Sequence, residues 1–328
     1  MSDTEETISN KDNDVLKGKN NEEVIESRDL IVARNLDKTY HGKSEVKALS
    51  NLSFTVKRGG VFTLLGRNGS GKTTTVKLLS TLLRRDSGDL SVFGFDPNIS
   101  AEEIRKKISI VPQEGKPIEY LTPRESIYFY LRMRGFTKEE AERRTEMVII
   151  DFLIDNFSDQ RCFTLSVGQK QIVLVAMAFA PNPELIFLDE PTIGLDPLAR
   201  QRVWKKIIEI KSSTTIFLTT HYMEEAEFLS DIVLIIKEGK SIKQGSPKEL
   251  IKQFKYKHKV TINNYGNENI TSQYIISKKL NDSLVIYLNE NELDKVVQQL
   301  VKDGLEITIN KVSLEDVFIS VMDEDHEK

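Results

Sequence analysis

Residues 61–74 are VFTLLGRNGSGKTT, and this stretch decides the fold. Its apolar first half predicts a buried strand, and residues 66–73 then fit the pattern G-x-x-x-x-G-K-[ST] ahead of the helix-like segment TVKLLSTLL. Glycines let successive backbone N–H groups point at phosphate oxygens, and the following helix adds the positive end of its dipole. Lys72 supplies a charge for the β- and γ-phosphates, and the Thr73 hydroxyl suits Mg²⁺. The stretch predicts nucleotide binding but does not separate a kinase, a GTPase, a helicase or a transport ATPase.

Composition limits the class of protein. The 328 residues are 39% hydrophobic and 29% charged, and the net charge of −4 gives no electrostatic reason to expect nucleic-acid binding. Cys162 is the one cysteine, so no disulfide forms within the chain, which fits a reducing compartment. Apolar runs such as residues 172–180 are far shorter than the roughly 18 residues that a membrane span requires. The polar amino terminus lacks the apolar core of a signal peptide, so we expect a cytoplasmic protein.

Local composition and hydrophobic periodicity divide the chain into three predicted parts. Residues 1–27 contain no aromatic residue and are predicted to be a disordered tail. Strands alternating with helices over residues 28–245 predict a P-loop core with a mostly parallel, covered sheet. Residues 246–328 contain three strand patterns and an amphipathic helix pattern, which predict a small C-terminal α/β accessory domain.

A helical subdomain is predicted at about residues 115–180, within the α/β core. Thr122 and Glu125 form one capping box with proline at the first helical position, and Thr137 and Glu140 form a second. No strand pattern lies between the two predicted helices. The fold class expected from the sequence is therefore α/β, with an inserted helical lobe and an accessory domain.

Four further motifs occur in a fixed order after the phosphate-binding loop: VPQE with Gln113, LSVGQK at residues 165–170, LIFLDEPTIGLDP at residues 185–197, and TTH ending at His221. This ordered set resembles the ATP-binding cassette (ABC) family over residues 30–245. The resemblance implies that ATP and Mg²⁺ are bound by the loop and its surroundings. The implied nucleotide-binding residues outside the LSVGQK segment are Tyr40, Gly66, Asn68, Gly69, Ser70, Gly71, Lys72, Thr73 and Thr74.

The resemblance also implies individual roles. Glu190 corresponds to the catalytic base, His221 to the switch histidine that contacts the γ-phosphate, and Asp196 to an aspartate that communicates between two cassettes. Gln113 corresponds to a glutamine that touches Mg²⁺ and the attacking water, and Asp189 to a ligand of the metal, so the expected metal group is Thr73, Gln113 and Asp189. Tyr40 corresponds to the ring on which adenine stacks, although a lone tyrosine is more often a packing residue.

The LSVGQK segment departs from the family's LSGGQ signature. Ser166, Gly168 and Gln169 are kept, and the resemblance implies that they meet the ATP held by a second subunit. Val167 replaces the first glycine, and a β-branched side chain restricts the backbone and crowds close approach. Either the position tolerates valine, or the chain pairs with a different cassette and contributes one impaired site.

The resemblance implies an ATP hydrolase that powers transport, and export in particular, through a separate integral-membrane subunit. A second ABC ATPase subunit completes a homo- or heterodimer, and the chain lies at the inner face of the cell membrane through its partner. The alternative is a soluble ABC-type ATPase acting on ribosomes or DNA, although such proteins usually carry two cassettes or a long inserted coiled coil. A kinase-like P-loop enzyme leaves LSVGQK and TTH unexplained. No nucleic-acid partner is expected.

Overall fold

The computed structural model describes residues 29–42, 44–263, 276–280 and 283–323. The predicted disordered tail, residues 1–27, lies outside them. The strands are β1 (Asp29–His41), β2 (Glu45–Lys57), β3 (Val61–Leu65), β4 (Ser87–Val92), β5 (Ile108–Val111), β6 (Leu185–Asp189), β7 (Thr215–Thr220), β8 (Ile232–Lys237), β9 (Lys240–Gly245), β10 (His258–Ile262), β11 (Ile276–Leu280), β12 (Ser283–Leu288) and β13 (Ile307–Lys311). The helices are α1 (Lys72–Leu79), α2 (Ala101–Lys107), α3 (Pro123–Met133), α4 (Lys138–Asp151), α5 (Val167–Phe179), α6 (Pro197–Ile210), α7 (Met223–Leu229), α8 (Pro247–Lys252), α9 (Glu290–Lys302) and α10 (Leu314–Asp323).

A six-stranded sheet with the order β5-β6-β7-β3-β8-β9 forms the centre of the fold. Its first five strands run parallel, and β9 pairs antiparallel with β8. Every residue of β3, β6 and β7 is buried, as expected for parallel strands covered on both faces. The predicted α/β class with a mostly parallel sheet is confirmed. Because β3, β6 and β7 are adjacent and parallel, the segments that follow them meet at one edge of the sheet.

A second sheet, with the order β2-β1-β4, is entirely antiparallel and was not predicted. Periodicity identifies strands but does not say with which strand each one pairs, and this sheet includes β1 and β2, each 13 residues long. Aromatic rings join it to the central sheet: Phe54 stacks on Phe62 at 5.6 Å, and Phe62 stacks on Phe217 at 5.5 Å. This packing places the end of β1, with Tyr40, beside the loop that follows β3.

Helices α3, α4 and α5 share one hydrophobic core with a face of the central sheet. The capping box predicted at Thr122 and Glu125 is present, with proline at the start of α3. The second predicted box is only half formed. Thr137 caps α4 by accepting from the Glu140 N–H, but the Glu140 carboxylate binds Arg143 and Arg144 instead of the backbone. Two guanidinium groups within one turn are stronger partners than one exposed backbone N–H.

The C-terminal residues form a four-stranded antiparallel sheet, β11-β12-β10-β13, with α9 packed on it. The apolar face of helix α10 does not pack on this sheet. Its apolar residues, among them Leu314, Val317 and Phe318, pack against Val233 and Ile235 of β8. In the described part of the chain, no helix combines the length and the apolar character needed to cross a membrane.

Candidate functional site

The loop between β3 and α1 curves tightly because glycines occupy its critical positions. Gly71 has a φ of 106°, and a Cβ there would lie 2.7 Å from the Ala48 carbonyl oxygen. Gly69 also has a positive φ, 79°, but faces open space. The Ser70 carbonyl accepts from the Gly239 N–H (2.9 Å), which ties the loop to the turn between β8 and β9. The buried Ser70 hydroxyl has no hydrogen-bond partner among the residues that the structure describes, so its hydrogen-bonding capacity is open to a ligand.

Lys72 is buried at the start of α1 and holds the loop from inside. Its Nζ donates to the Gly66 carbonyl (2.9 Å) and to the Arg67 carbonyl (3.2 Å). It also forms an ion pair with Oε1 of Glu190 at 3.2 Å. A buried ammonium group requires such partners, because desolvation of an unpaired charge is costly.

Two carboxylates stand at the carboxyl end of β6. Asp189 is its last residue, and Glu190 follows with its backbone in the left-handed region, at a φ of 53°. The Thr219 hydroxyl on neighbouring β7 donates to Asp189 Oδ1 and accepts from the Glu190 N–H (3.2 Å). Burial raises the pKa of Asp189, and hydrogen bonds from Thr219 and Thr73 oppose that rise. Thr219 therefore orients both acidic residues.

His221 follows β7 and completes the group. Its Nδ1 lies 2.7 Å from Oε2 of Glu190, so an ionised Glu190 accepts a hydrogen bond from the imidazole. Lys72 and His221 thus contact different oxygens of one buried carboxylate. The carboxylate is held in a single orientation, with a cation on one side and a half-buried ring on the other.

Three oxygen-bearing side chains near the start of α1 could hold a metal. The Thr73 hydroxyl donates to Oε1 of Gln113 (3.1 Å), and the Thr73 side chain is near enough to Asp189 to act against the rise in its pKa. Hydroxyl, amide and carboxylate oxygens are the ligands that Mg²⁺ prefers. The predicted metal residues are therefore brought together by α1, β6 and the segment after β5, and their chemistry fits Mg²⁺.

An open pocket of about 290 Å³ lies over the loop. Tyr40 is on its wall with 39% of the residue exposed, and its hydroxyl lies 3.4 Å from that of Thr74. An exposed ring on a pocket wall favours a ligand contact over a packing role. The other residues that line the pocket are Val46, Ala48, Asn68, Gly69, Gly71, Lys72, Thr73, Gln113 and Glu190.

The LSVGQK segment is not part of this pocket. Ser166 caps α5 and forms a reciprocal capping box with Gln169. Val167 is the first residue of α5, has no positive φ, and is 75% exposed. A Cβ on Gly168 would lie 3.3 Å from the Gly194 carbonyl, so the helix start packs against the loop after β6. The structure brings the loop, the acids and His221 together and leaves Ser166, Gly168 and Gln169 elsewhere on the surface.

Two contributors were missed by the sequence reasoning. Thr219 stands in the TTH run, but only the pairing of β6 with β7 shows that its hydroxyl reaches two acids. Gln171 donates through Nε2 to the Pro191 carbonyl (3.0 Å) and so anchors the segment after Glu190. A hydroxyl at a strand end was the available signal for Thr219, whereas nothing in the sequence points to Gln171.

Comparison with known proteins relates this chain to a family. A sequence model described as ABC transporter matches residues 49–193. The linearmycin resistance ATP-binding protein LnrL of Bacillus subtilis (strain 168) is 36% identical over 222 residues, which cover 67% of this chain and 70% of LnrL. The Nod factor export ATP-binding protein I of Burkholderia orbicola (strain AU 1054) is 37% identical over 66% of this chain and 71% of its own length.

Other similar proteins differ more in length or in sequence. The ATP-binding cassette sub-family A member 2 of Homo sapiens is 37% identical over 66% of this chain, but the match spans only 9% of that longer protein. Among solved structures, the dimeric post-hydrolysis state of the ATP-binding cassette MJ0796 bound to ADP and Pi has a TM-score of 0.61 and 25% identity, and covers 66% of this chain and 98% of that one. Both the fold and the sequence comparisons confirm the predicted resemblance: the chain belongs to the ABC transporter family.

Proposed function

We propose that this chain is the ATP-hydrolysing subunit of an ABC exporter and drives transport through a separate membrane-spanning partner. One observation carries the hydrolytic part of this proposal. The buried Glu190 carboxylate contacts Lys72 through one oxygen (3.2 Å) and His221 through the other (2.7 Å), next to the phosphate-binding loop. The names of the relatives, drug resistance and Nod factor export, favour export over an action on ribosomes or DNA.

ATP binding is assigned to the loop and the pocket above it. Backbone N–H groups of the loop and the dipole of α1 favour phosphate oxygens at this position. The partly exposed Tyr40 ring offers a surface for adenine. Lys72 binds the β- and γ-phosphates. A triphosphate carries more negative charge than one carboxylate. The Lys72 ammonium group therefore leaves Glu190 and pairs with the nucleotide when ATP binds.

Hydrolysis then uses the released carboxylate. A water oxygen attacks the γ-phosphorus, Glu190 accepts a proton from that water, and the bond to the bridging oxygen breaks, so that ADP keeps the electron pair. His221 holds the second oxygen of Glu190 and keeps the base aimed at the water. Thr73, Gln113 and Asp189 would hold Mg²⁺, which when bound neutralises charge on the β- and γ-phosphates.

A second cassette is proposed to complete the site. The relative MJ0796 is dimeric, and the exposed helix start with Ser166 and Gly168 offers a hydroxyl, backbone N–H groups and a helix dipole to an ATP held by another chain. We place the chain in the cytoplasm, at the inner face of the membrane through its partner, with no nucleic acid involved. Affinity purification from membranes should recover an integral-membrane polypeptide; its absence would contradict the transport assignment.

Substitution of the base tests the hydrolytic assignment. Glu190→Gln should lower the ATPase rate by about 10²–10⁴-fold, because a general base contributes that much, while Mg·ATP binding remains. Glu184→Gln is the matched control, since Glu184 is an exposed carboxylate paired with Arg58 and Lys107 away from the pocket. Turnover by the Glu190 variant at the wild-type rate would remove Glu190 from this role.

A further inference from the structure

Glu225 is a buried acid outside the group described above. It lies in α7, one turn after His221, and 0% of the residue is exposed. Its Oε1 accepts hydrogen bonds from the Thr192 hydroxyl and from Nε1 of Trp204, both at 2.9 Å. Burial raises the pKa of Glu225, and hydrogen bonds from neighbouring side chains, followed by the positive charge of Arg200, oppose that rise. Burial of an ionisable group is unfavourable unless it is hydrogen-bonded, so these two donors are what stabilise Glu225 in this position.

The partner Thr192 belongs to the turn that follows Glu190. A left-handed backbone such as that of Glu190, with a φ of 53°, persists only where the surroundings hold it. Two hydrogen bonds hold the next residues of the chain. Gln171 Nε2 donates to the Pro191 carbonyl at 3.0 Å, and Thr192 donates to Glu225 at 2.9 Å. Glu225 thus fixes the chain on one side of the proposed base.

The same helix also follows directly from His221. The N–H of Ala226 in α7 donates to the Tyr222 carbonyl (3.1 Å), so the backbone after His221 leads straight into the helix. The centroid of the Tyr222 ring lies 4.1 Å from that of the His221 imidazole and 4.7 Å from the guanidinium carbon of Arg200. Arg200 comes from α6, which also carries Trp204, the second donor to Glu225.

We propose that Glu225 is a positioning residue for hydrolysis: it joins the turn after Glu190 to the helix after His221 and so fixes the distance between the two. This inference rests on the proposed function, because it matters only if Glu190 and His221 act together. Glu225 does not line the nucleotide pocket. Its loss therefore lowers kcat and leaves the KM for ATP and the affinity for nucleotide unchanged.

Four variants of the full chain separate positioning from simple support of the fold. Thr192→Val removes the hydrogen bond to the catalytic turn. Trp204→Phe removes the other hydrogen bond on the same oxygen and serves as the matched control, because α6 does not carry Glu190. Glu225→Ala removes both hydrogen bonds, whereas Glu225→Gln keeps an acceptor oxygen for both donors. Each variant is measured for kcat, KM, nucleotide affinity and thermal unfolding.

We expect Thr192→Val and Glu225→Ala to lower kcat on the order of tenfold with KM unchanged, and Glu225→Gln to restore most of it. Trp204→Phe should lower the melting temperature but keep the wild-type kcat. A purely structural Glu225 would make kcat follow stability across the series. Two results would overturn the inference: a wild-type kcat in Thr192→Val, or an equal loss of kcat in Trp204→Phe. Both variants keep Glu225, so they test its role even if Glu225→Ala does not fold.

The failure of this inference differs from that of the proposed function. If Glu190→Gln is inactive while Thr192→Val keeps full kcat, only the positioning role of Glu225 is wrong. If Glu190→Gln hydrolyses ATP as fast as the wild type, the assignment of the base is wrong, and the role of Glu225 is overturned with it.

Discussion

Glu190 combines an unfavourable backbone conformation with three fixed contacts. Its N–H donates to Thr219, one oxygen meets Lys72, and the other meets His221. A strained residue at the point where several elements converge is common at active sites, where the surrounding structure over-determines its position. Among these surroundings, the contribution of Thr219 can be tested separately. Its hydroxyl contacts both acidic residues, while its methyl group fills buried space that a similar side chain can also fill.

Replacement of Thr219 by valine should therefore lower turnover without loss of fold. The shape is kept and the Glu190 N–H still donates to the Thr219 backbone carbonyl (3.1 Å), but Asp189 loses a buried donor. That loss costs about 1–3 kcal/mol, which is on the order of ten- to hundred-fold in rate if it falls on the transition state. Steady-state ATPase measurements check this. Thr219→Ser retains the hydroxyl and should recover most of kcat; equal rates for the valine and serine variants would contradict the role of the hydroxyl.

Val167 is the residue at which the family pattern and this sequence disagree. In the structure it begins α5 in an ordinary helical conformation and points largely to solvent. Glycine is not needed for the backbone here, so the tolerated-valine account is favoured. The helix propensities of valine and glycine differ by only a fraction of a kcal/mol. We therefore expect Val167→Gly to have little effect on the ATPase rate. A large gain in the paired complex would instead indicate an impaired site.

Residue identities in the loop were predictable because their chemistry is local. A strand, a glycine-rich turn and Lys72 are contiguous, and nothing distant is needed to infer a phosphate site. Gln171 and Glu225 could not be predicted in the same way. Their roles depend on which residue lies opposite after folding, the Pro191 carbonyl and the Thr192 hydroxyl, and a single sequence does not contain that pairing.

At the scale of elements, local signals predict where a helix starts, but they do not predict which part of the fold it packs against. The start of α3 was predicted from its capping box, since a cap involves residues three positions apart. Helix α10 lies within residues 246–328, which the sequence predicts to be the accessory domain, and it packs on β8 and α7. Its N-terminal Leu314 N–H donates to Glu227 of α7 (2.9 Å), and Lys237 of β8 donates to the Met322 carbonyl near its other end (3.0 Å). Amphipathicity shows that a helix has a buried face but not what covers it.

Asp316 connects α10 to the C-terminal sheet. This buried carboxylate accepts hydrogen bonds from the Tyr287 hydroxyl (2.7 Å) and the Ser313 N–H (2.9 Å), and forms an ion pair with Lys259 at 2.9 Å. Burial alone would raise the pKa of Asp316, but the interactions with Ser313, Lys259 and Tyr287 outweigh it and lower the pKa. The ionised form is therefore the one that stabilises the junction.

Asp316→Asn should accordingly destabilise the protein in a pH-dependent way. At neutral pH we expect a loss of about 1–3 kcal/mol in the free energy of unfolding, because Lys259 loses its charged partner and the two neutral donors are left with a weaker acceptor. A lowered pKa means that the stabilisation is complete above the unfolded-state value of 3.8 and disappears as the pH falls through the lower, folded-state pKa. Urea unfolding at a series of pH values checks this, with exposed Asp294→Asn as the control. A difference between wild type and variant that does not shrink in acid would refute it.

At the scale of the whole molecule, the proposed catalytic residues lie together in one chain, whereas the proposed nucleotide pocket is open. The loop, the two acids and His221 converge at the carboxyl edge of β3, β6 and β7, while Ser166 and Gly168 lie outside the pocket that they are expected to contact. A helix N-terminus that is already capped by its own Ser166 and Gln169 still presents free N–H groups and a positive dipole. Those groups become useful to ATP only if another chain supplies the nucleotide.

This geometry predicts association that depends on unhydrolysed ATP. The Glu190→Gln variant should bind Mg·ATP without turnover. Its mass in light scattering should double when ATP is added and stay that of a monomer with ADP, because only ATP offers a γ-phosphate to the LSVGQK segment of the second chain. Lys72→Ala in the same background removes the phosphate contact and should abolish the dimer. Ser166→Ala should weaken the dimer while the monomer still binds ATP. A variant that saturates with ATP and stays monomeric would show that this chain does not pair with itself, and Val167 would then mark a chain built to pair with a different cassette.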